Sequence, residues 1–112
     1  MDITTSTVLY YTQPSTAASG FTLNIRGNST TSVNSLLPVG DALTVVFLNT
    51  TGAVTTSYPS TITIDGATQV IKWTNGIAPT AGNTSSLDAY TYTILKTDVN
   101  TYTVLGSQTR FA

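Results

Sequence analysis

The chain contains no cysteine, no histidine and no glutamate. Without cysteine there is no disulfide framework, no thiolate metal site and no thiol redox chemistry, so stability has to come from packing and strand pairing. Without histidine a serine nucleophile has no imidazole base. Neither Lys72 nor Lys96 stands three residues after a serine, as a Ser-Lys dyad motif requires, which argues against a hydrolase of that type. Charge is scarce as well: Asp, Lys and Arg make up 8% of the 112 residues, against about a quarter in a typical soluble domain. They are Asp2, Asp41, Asp65, Asp88, Asp98, Arg26, Lys72, Lys96 and Arg110. A net charge of −1 supplies no long-range field, and no cluster of basic residues interleaved with aromatics occurs, so neither nucleic acid nor a membrane surface is an expected partner. Weak net charge also removes a repulsion between copies and tolerates their close packing. There is no Gly-rich phosphate loop and no run of calcium-ligand spacing, so no cofactor and no metal is expected, a metal shared on a subunit axis aside. Long apolar runs are missing too. Residues 8–11 are too short an apolar stretch for a signal peptide and have no basic residues before them, so nothing directs secretion by the general route.

What is abundant is uncharged polarity. Ser, Thr, Asn and Gln fill 46 of the 112 positions, and 25 of these are Thr, whose branched Cβ suits strands and disfavours helices. Apolar residues make up 40% and recur regularly, which indicates a folded chain. Its length fits one domain that buries roughly two thirds of the surface exposed by the unfolded chain. The expectation is an all-β single domain, a β-sandwich or jelly-roll-like fold of about eight short antiparallel strands. Residues 1–19 form an N-terminal arm or edge strand, and residues 20–112 the sandwich.

Residues 8–12 predict a short strand that ends at Gln13-Pro14-Ser15, because proline lacks a ladder donor. In GFTLNIRGN, Phe21, Leu23 and Ile25 share one face of a half-buried strand. Residues 29–40 are polar except for Val33, Leu36, Leu37 and Val39, and form either one helical turn or an ordered loop. ALTVVFLN, residues 42–49, is apolar on both faces, as in a strand covered on each side or lying at a subunit contact. Thr50-Thr51-Gly52 then predicts a turn, residues 53–57 a continuing strand, and Tyr58-Pro59 an interruption. Asp65-Gly66 between two β-branched runs predicts a two-residue hairpin turn joining strands 61–64 and 68–73. Residues 74–86 show no periodicity and exceed the usual connection length, which marks them as functional or as an overlap. LDAYTYTILK, residues 87–96, alternates and pairs with residues 102–105 across a turn around Asp98 and Asn100.

Asp41, Asp65, Asp88 and Asp98 are the only candidates for paired-carboxylate chemistry, and turn or cap duty accounts for each, so no catalytic residue is assigned. Trp73 is the one side chain large enough to stack broadly on a sugar ring, with Asn75, Asn83 and Tyr90 near in sequence to bind hydroxyls. The competing reading, that Trp73 ends a strand and caps the core beneath the loop, carries more weight because tryptophan is highly buried on average. Tyr10, Tyr11, Tyr90, Tyr92 and Tyr102 suit sheet faces or a protein interface.

The ordered series Ile64-Asp65-Gly66, Lys72-Trp73, the loop GIAPTAGN at residues 76–83 and the strand DAYTYTILKT at residues 88–97 resembles a small β-domain recurrent in virion structural and tail-fibre proteins of tailed bacteriophages, particularly those of cyanobacteria. The resemblance covers residues 21–112. It implies a non-enzymatic protein on the virion surface, made in the host cytoplasm. Its partners would be other virion proteins of capsid or tail and copies of itself, clustered as trimers. Because the chain starts at Met1 with only a short arm, a capsid decoration or accessory surface protein is the first expectation. A tail-fibre or receptor-binding tip contacting a host surface glycan or protein is the alternative.

Overall fold

Alternation of Thr with aliphatic and aromatic residues sorts the chain into two sheets whose inner faces close on one core. The structure, a computed structural model, describes residues 1–15, 20–52 and 58–111, with backbone alone for 11–15. The described residues form eight strands: β1 (Val8–Ser15), β2 (Gly20–Ile25), β3 (Ala42–Thr51), β4 (Tyr58–Ile64), β5 (Ala67–Thr68), β6 (Ile71–Trp73), β7 (Leu87–Asp98) and β8 (Thr101–Phe111). A single helical turn, α1 (Val33–Leu36), follows β2. The larger sheet has the order β1-β3-β7-β8-β6 and the smaller β2-β4-β5.

The molecule is all-β, as its composition indicates, but both sheets are mixed. β1 runs parallel to β3, β2 to β4 and β6 to β8, where antiparallel partners are expected. The long ladders of β3 with β7 and of β7 with β8 are antiparallel. β7 has 12 residues and β8 has 11, well beyond the short strands anticipated.

Several boundaries move for identifiable reasons. β3 continues through Thr50 and Thr51 because Thr50 pairs with Leu87 on β7, so no turn forms there; residues 53–57, the predicted continuation, lie outside the described residues. β4 starts at Tyr58 and contains Pro59, which sits beside a register shift against β2, on a stretch of β4 that β5 does not reach. A proline is tolerated where a ladder donor is not required. Pro14 likewise lies within β1, an edge strand, inside the register irregularity between Tyr11 and Ser15.

The Asp-Gly turn forms as the sequence predicts, with φ of 52° at Asp65 and 84° at Gly66, the left-handed pair that matches strand twist. Its second arm divides. Ala67 and Thr68 stay on β4, whereas residues 71–73 cross to the larger sheet and lie along β8. The Asp65 carboxylate accepts from the Val33 and Asn34 amides at 2.8 and 3.1 Å, so the turn also holds the start of α1, with Ser32 as its N-cap.

The core joins Leu23, Ile25, Ile62 and Ile64 of the smaller sheet to Val45, Phe47, Tyr90, Tyr92, Ile94 and Val104 of the larger, with Val33 and Leu37 closing one end. Phe21 meets Phe47 edge-on at 5.8 Å between ring centroids, a favoured aromatic geometry. The first residues bind both sheets. The Met1 amino group donates to Asn24 O at 2.8 Å, Ile3 N to Arg26 O at 2.9 Å, and Arg26 Nε pairs with Asp2 Oδ1 at 2.7 Å, before β1 joins β3.

Candidate functional site

β6 stops after three residues, while β8 runs on past Gly106. The chain leaving Trp73 makes a 3-10 turn at Thr74–Gly76, with left-handed φ of 58° at Asn75 and 71° at Gly76. Between this turn and the strand it has left lies a cleft of about 260 Å³ lined by Trp73, Thr74, Asn75, Ile77, Ala78, Pro79, Ser107 and Gln108. No lining side chain is titratable. Lys72 alternates away from Trp73, beside Leu105 on the opposite face of the sheet.

The walls are fixed by bonds at three points. Trp73 packs edge-to-face on Tyr92 at 6.1 Å and 69° and covers Gly106, where an added Cβ would lie 3.1 Å from the indole Cζ3. Thr74 Oγ1 donates to Gly106 O at 3.2 Å. Gln108 Nε2 donates to Ala81 O at 3.1 Å and to the Tyr90 hydroxyl at 2.8 Å. The far end of the loop is clamped by Asp88, fully buried at the start of β7. Its carboxylate accepts from Asn83 N at 2.8 Å, Asn83 Nδ2 at 2.9 Å and Ser86 Oγ at 2.8 Å. Thr51 Oγ1 donates to Asn83 O and accepts from Ser86 N at 3.0 Å. Such charge-assisted bonds offset the cost of burying the carboxylate.

The sequence-predicted residues therefore separate. Trp73 and Asn75 line the cleft. Asn83 is a clamp residue, hydrogen-bonded to Asp88 rather than directed at a ligand. Tyr90 and Tyr92 have no solvent exposure and are core residues, not interface or ligand contacts; alternation along β7 places both on the inner face. Burial pushes the Tyr90 phenol up to about 12, with the Gln108 hydrogen bond opposing, and raises Tyr92 as well. Tyr10 is 51% exposed. Tyr11 pairs with Asn49 through its backbone, and its side chain lies outside the described residues. The carboxylates are engaged separately, Asp65 at α1, Asp88 at the loop and Asp98 with Val99 N at 2.8 Å, and Asp41 is exposed before β3. Among the described residues no three acidic side chains gather as metal ligands. Ser107 and Gln108 escape a reading of the sequence because only the parallel placing of β6 on β8 brings them to Trp73.

A second surface is the outer face of the larger sheet. Register places Val8, Val46, Thr91 and Ser107 in one row, Tyr10, Leu48, Ala89 and Thr109 in the next, then Thr50, Leu87 and Phe111. Thr44, Thr93, Leu105 and Lys72 form the row on the other side. Of the nine charged residues, Lys72 projects from this face at its β6 edge and Asp98, opposite Thr101, lies at its β7–β8 hairpin end. Phe111 is 55% and Leu105 45% exposed, and Tyr10, Thr50, Leu87 and Phe111 border a hollow of about 480 Å³.

Fold and surfaces together define a small all-β sandwich with one sparsely charged sheet face and one preformed edge cleft. No protein-family profile, no curated protein and no solved structure matches this chain. Among the described residues no helix is long and apolar enough to cross a membrane.

Proposed function

We propose that this is a non-enzymatic structural protein of a bacteriophage particle, a capsid decoration or accessory surface protein that packs against copies of itself through the outer face of the larger sheet. The observation that carries the packing is the near absence of charge from that face. Five strands about 4.8 Å apart and roughly eight residues at about 3.4 Å give a projected area of roughly 650 Å², close to the roughly 800 Å² per partner of a standard interface. A partner rich in charge finds little counter-charge there beyond Lys72. A second copy brings the same Thr and aliphatic rows and an exposed Phe111 or Tyr10 for the hollow. The virion assignment is supported by the ordered resemblance from Ile64 to Thr97, whose residues supply the hairpin turn, the Trp73 strand end, the cleft loop and the clamp.

Leu105→Asp tests the packing. It places a carboxylate beside Lys72 without touching the core, so the fold should persist while self-association measured by sedimentation equilibrium weakens at least about tenfold, since desolvating the new charge is costly. Unchanged association counts against the face. A trimer requires two different patches per copy and a face-to-face pair only one, and the sedimenting mass tells them apart. Antibody labelling of purified particles tests the location, with signal spread over the head expected; signal confined to the tail would overturn the decoration reading. The tail-fibre or receptor-tip reading is favoured by the preformed cleft at Trp73.

A further inference from the structure

We propose that the cleft beside Trp73 binds one neutral sugar ring, a hexopyranose unit of a glycan. The inference rests on the cleft and not on the place of the protein on a particle.

Three features converge on this ligand class. The first is an aromatic wall held rigid from behind by Tyr92 and Gly106, the surface that the C–H face of a pyranose covers. The second is the hydrogen-bonding capacity left over. Among the described residues, the Asn75 amide and Gln108 Oε1 have no side-chain partner, although neighbouring Thr74, Gln108 Nε2 and Asn83 are all committed to the walls. An amide offers both donor and acceptor, which is what sugar hydroxyls require; a purely apolar ligand would strip water from these groups and return nothing.

The third is the absence of charge. No lining residue is titratable and Lys72 faces the other side of the sheet, so a phosphate, a uronate or a sialic acid has no counter-charge among the lining side chains to replace its water. Size agrees: about 260 Å³ falls below the roughly 300–1,000 Å³ of drug-sized sites and suits a single ring with the rest of the glycan in solvent. A polyproline segment prefers grooves between several aromatic side chains, and Trp73 is the one aromatic lining this cleft.

Asn75 and Gly76 hold left-handed backbone, and the loop is tied by Thr74, Ala81 and Asn83. The site is thus preorganised, and little ordering is needed on binding.

The test titrates the purified protein with the methyl glycosides of glucose, galactose, mannose and N-acetylglucosamine, following Trp73 fluorescence and the amide resonances of Asn75, Ile77 and Gln108. At least one glycoside should give saturable changes at these positions in the millimolar range, as fits one stacking face and a few hydrogen bonds. Glucuronate and sialic acid should give none. Trp73→Ala should abolish the response. Because Trp73 also covers Gly106 and that variant can lose its fold, Asn75→Gly is the deciding one. It keeps the left-handed backbone unstrained, removes only the amide and should weaken binding at least about fivefold. The proposal is overturned if no neutral glycoside produces saturable shifts, if the acidic sugars bind equally, if a proline-rich peptide binds where the sugars do not, or if Asn75→Gly binds as tightly as the parent.

Discussion

A carboxylate without solvent access and without an ion pair among the described residues is held by the donors it finds, and Asp88 finds three, from Asn83 and Ser86. Asp88→Asn would turn one acceptor oxygen into an NH2 group aimed at an existing donor, leaving a buried donor unpaired. The expected loss is about 2–3 kcal/mol, read as a lower urea midpoint, together with faster hydrogen exchange across residues 77–83 as the loop comes free. An unchanged midpoint would mean that the clamp contributes nothing. The spacing that makes this clamp, Asn83, Ser86 and Asp88, is local and visible in the chain. Its burial is not, because it depends on Thr51 arriving from β3. The same limit applies to Lys96, which is 6% exposed and donates to Asn34 O at 2.7 Å; only the position of α1 explains why a lysine sits inside. Tyr90 and Tyr92 show the opposite case, since strict alternation with Thr91 and Thr93 already puts them on one face, and the structure decides only that this face is the inner one.

Elements were legible where they are specified locally. The Asp-Gly turn, the alternation of β2 and β7, and the turn near Asn100 follow from backbone preference and period. Strand pairing across long separations was not, so the parallel ladders and the transfer of residues 71–73 to the larger sheet came only with the structure. Both in-strand prolines would also argue against their strands unless the register irregularities beside them are known. Gly106 is the residue on which the β6 placement depends. An added Cβ would lie 2.7 Å from Ile71 Cγ2 and 3.1 Å from Trp73 Cζ3, so any side chain there pushes β6 away from β8. Gly106→Val should cost about 1–3 kcal/mol as overpacking does and shift Trp73 emission to the red as the indole gains water. A variant with unchanged stability and emission would show that Trp73 does not lie over this glycine.

At the scale of the whole molecule the sandwich is closed by tyrosines that cross the space a smaller residue would leave open. Tyr90 and Tyr92 span the middle of the inner face, and Tyr102 lies opposite Lys96 at one end. Burial raises the phenol of each, that of Tyr90 to about 12. In the unfolded chain a tyrosine titrates near about 10. Below that pH both states keep the proton, and the contribution of the buried neutral phenols to stability is fully present. From there upward the unfolded chain binds fewer protons than the folded one, so stability falls as pH rises through the folded value. Unfolding followed by circular dichroism should therefore require progressively less urea from pH about 10 to about 12. Part of the phenolate absorbance should appear only together with the loss of the β-sheet signal. If every tyrosine instead ionised smoothly near pH 10 with the sheet signal intact, the inner face would be open to water, and neither the rigid backing of Trp73 nor the cleft built on it would stand.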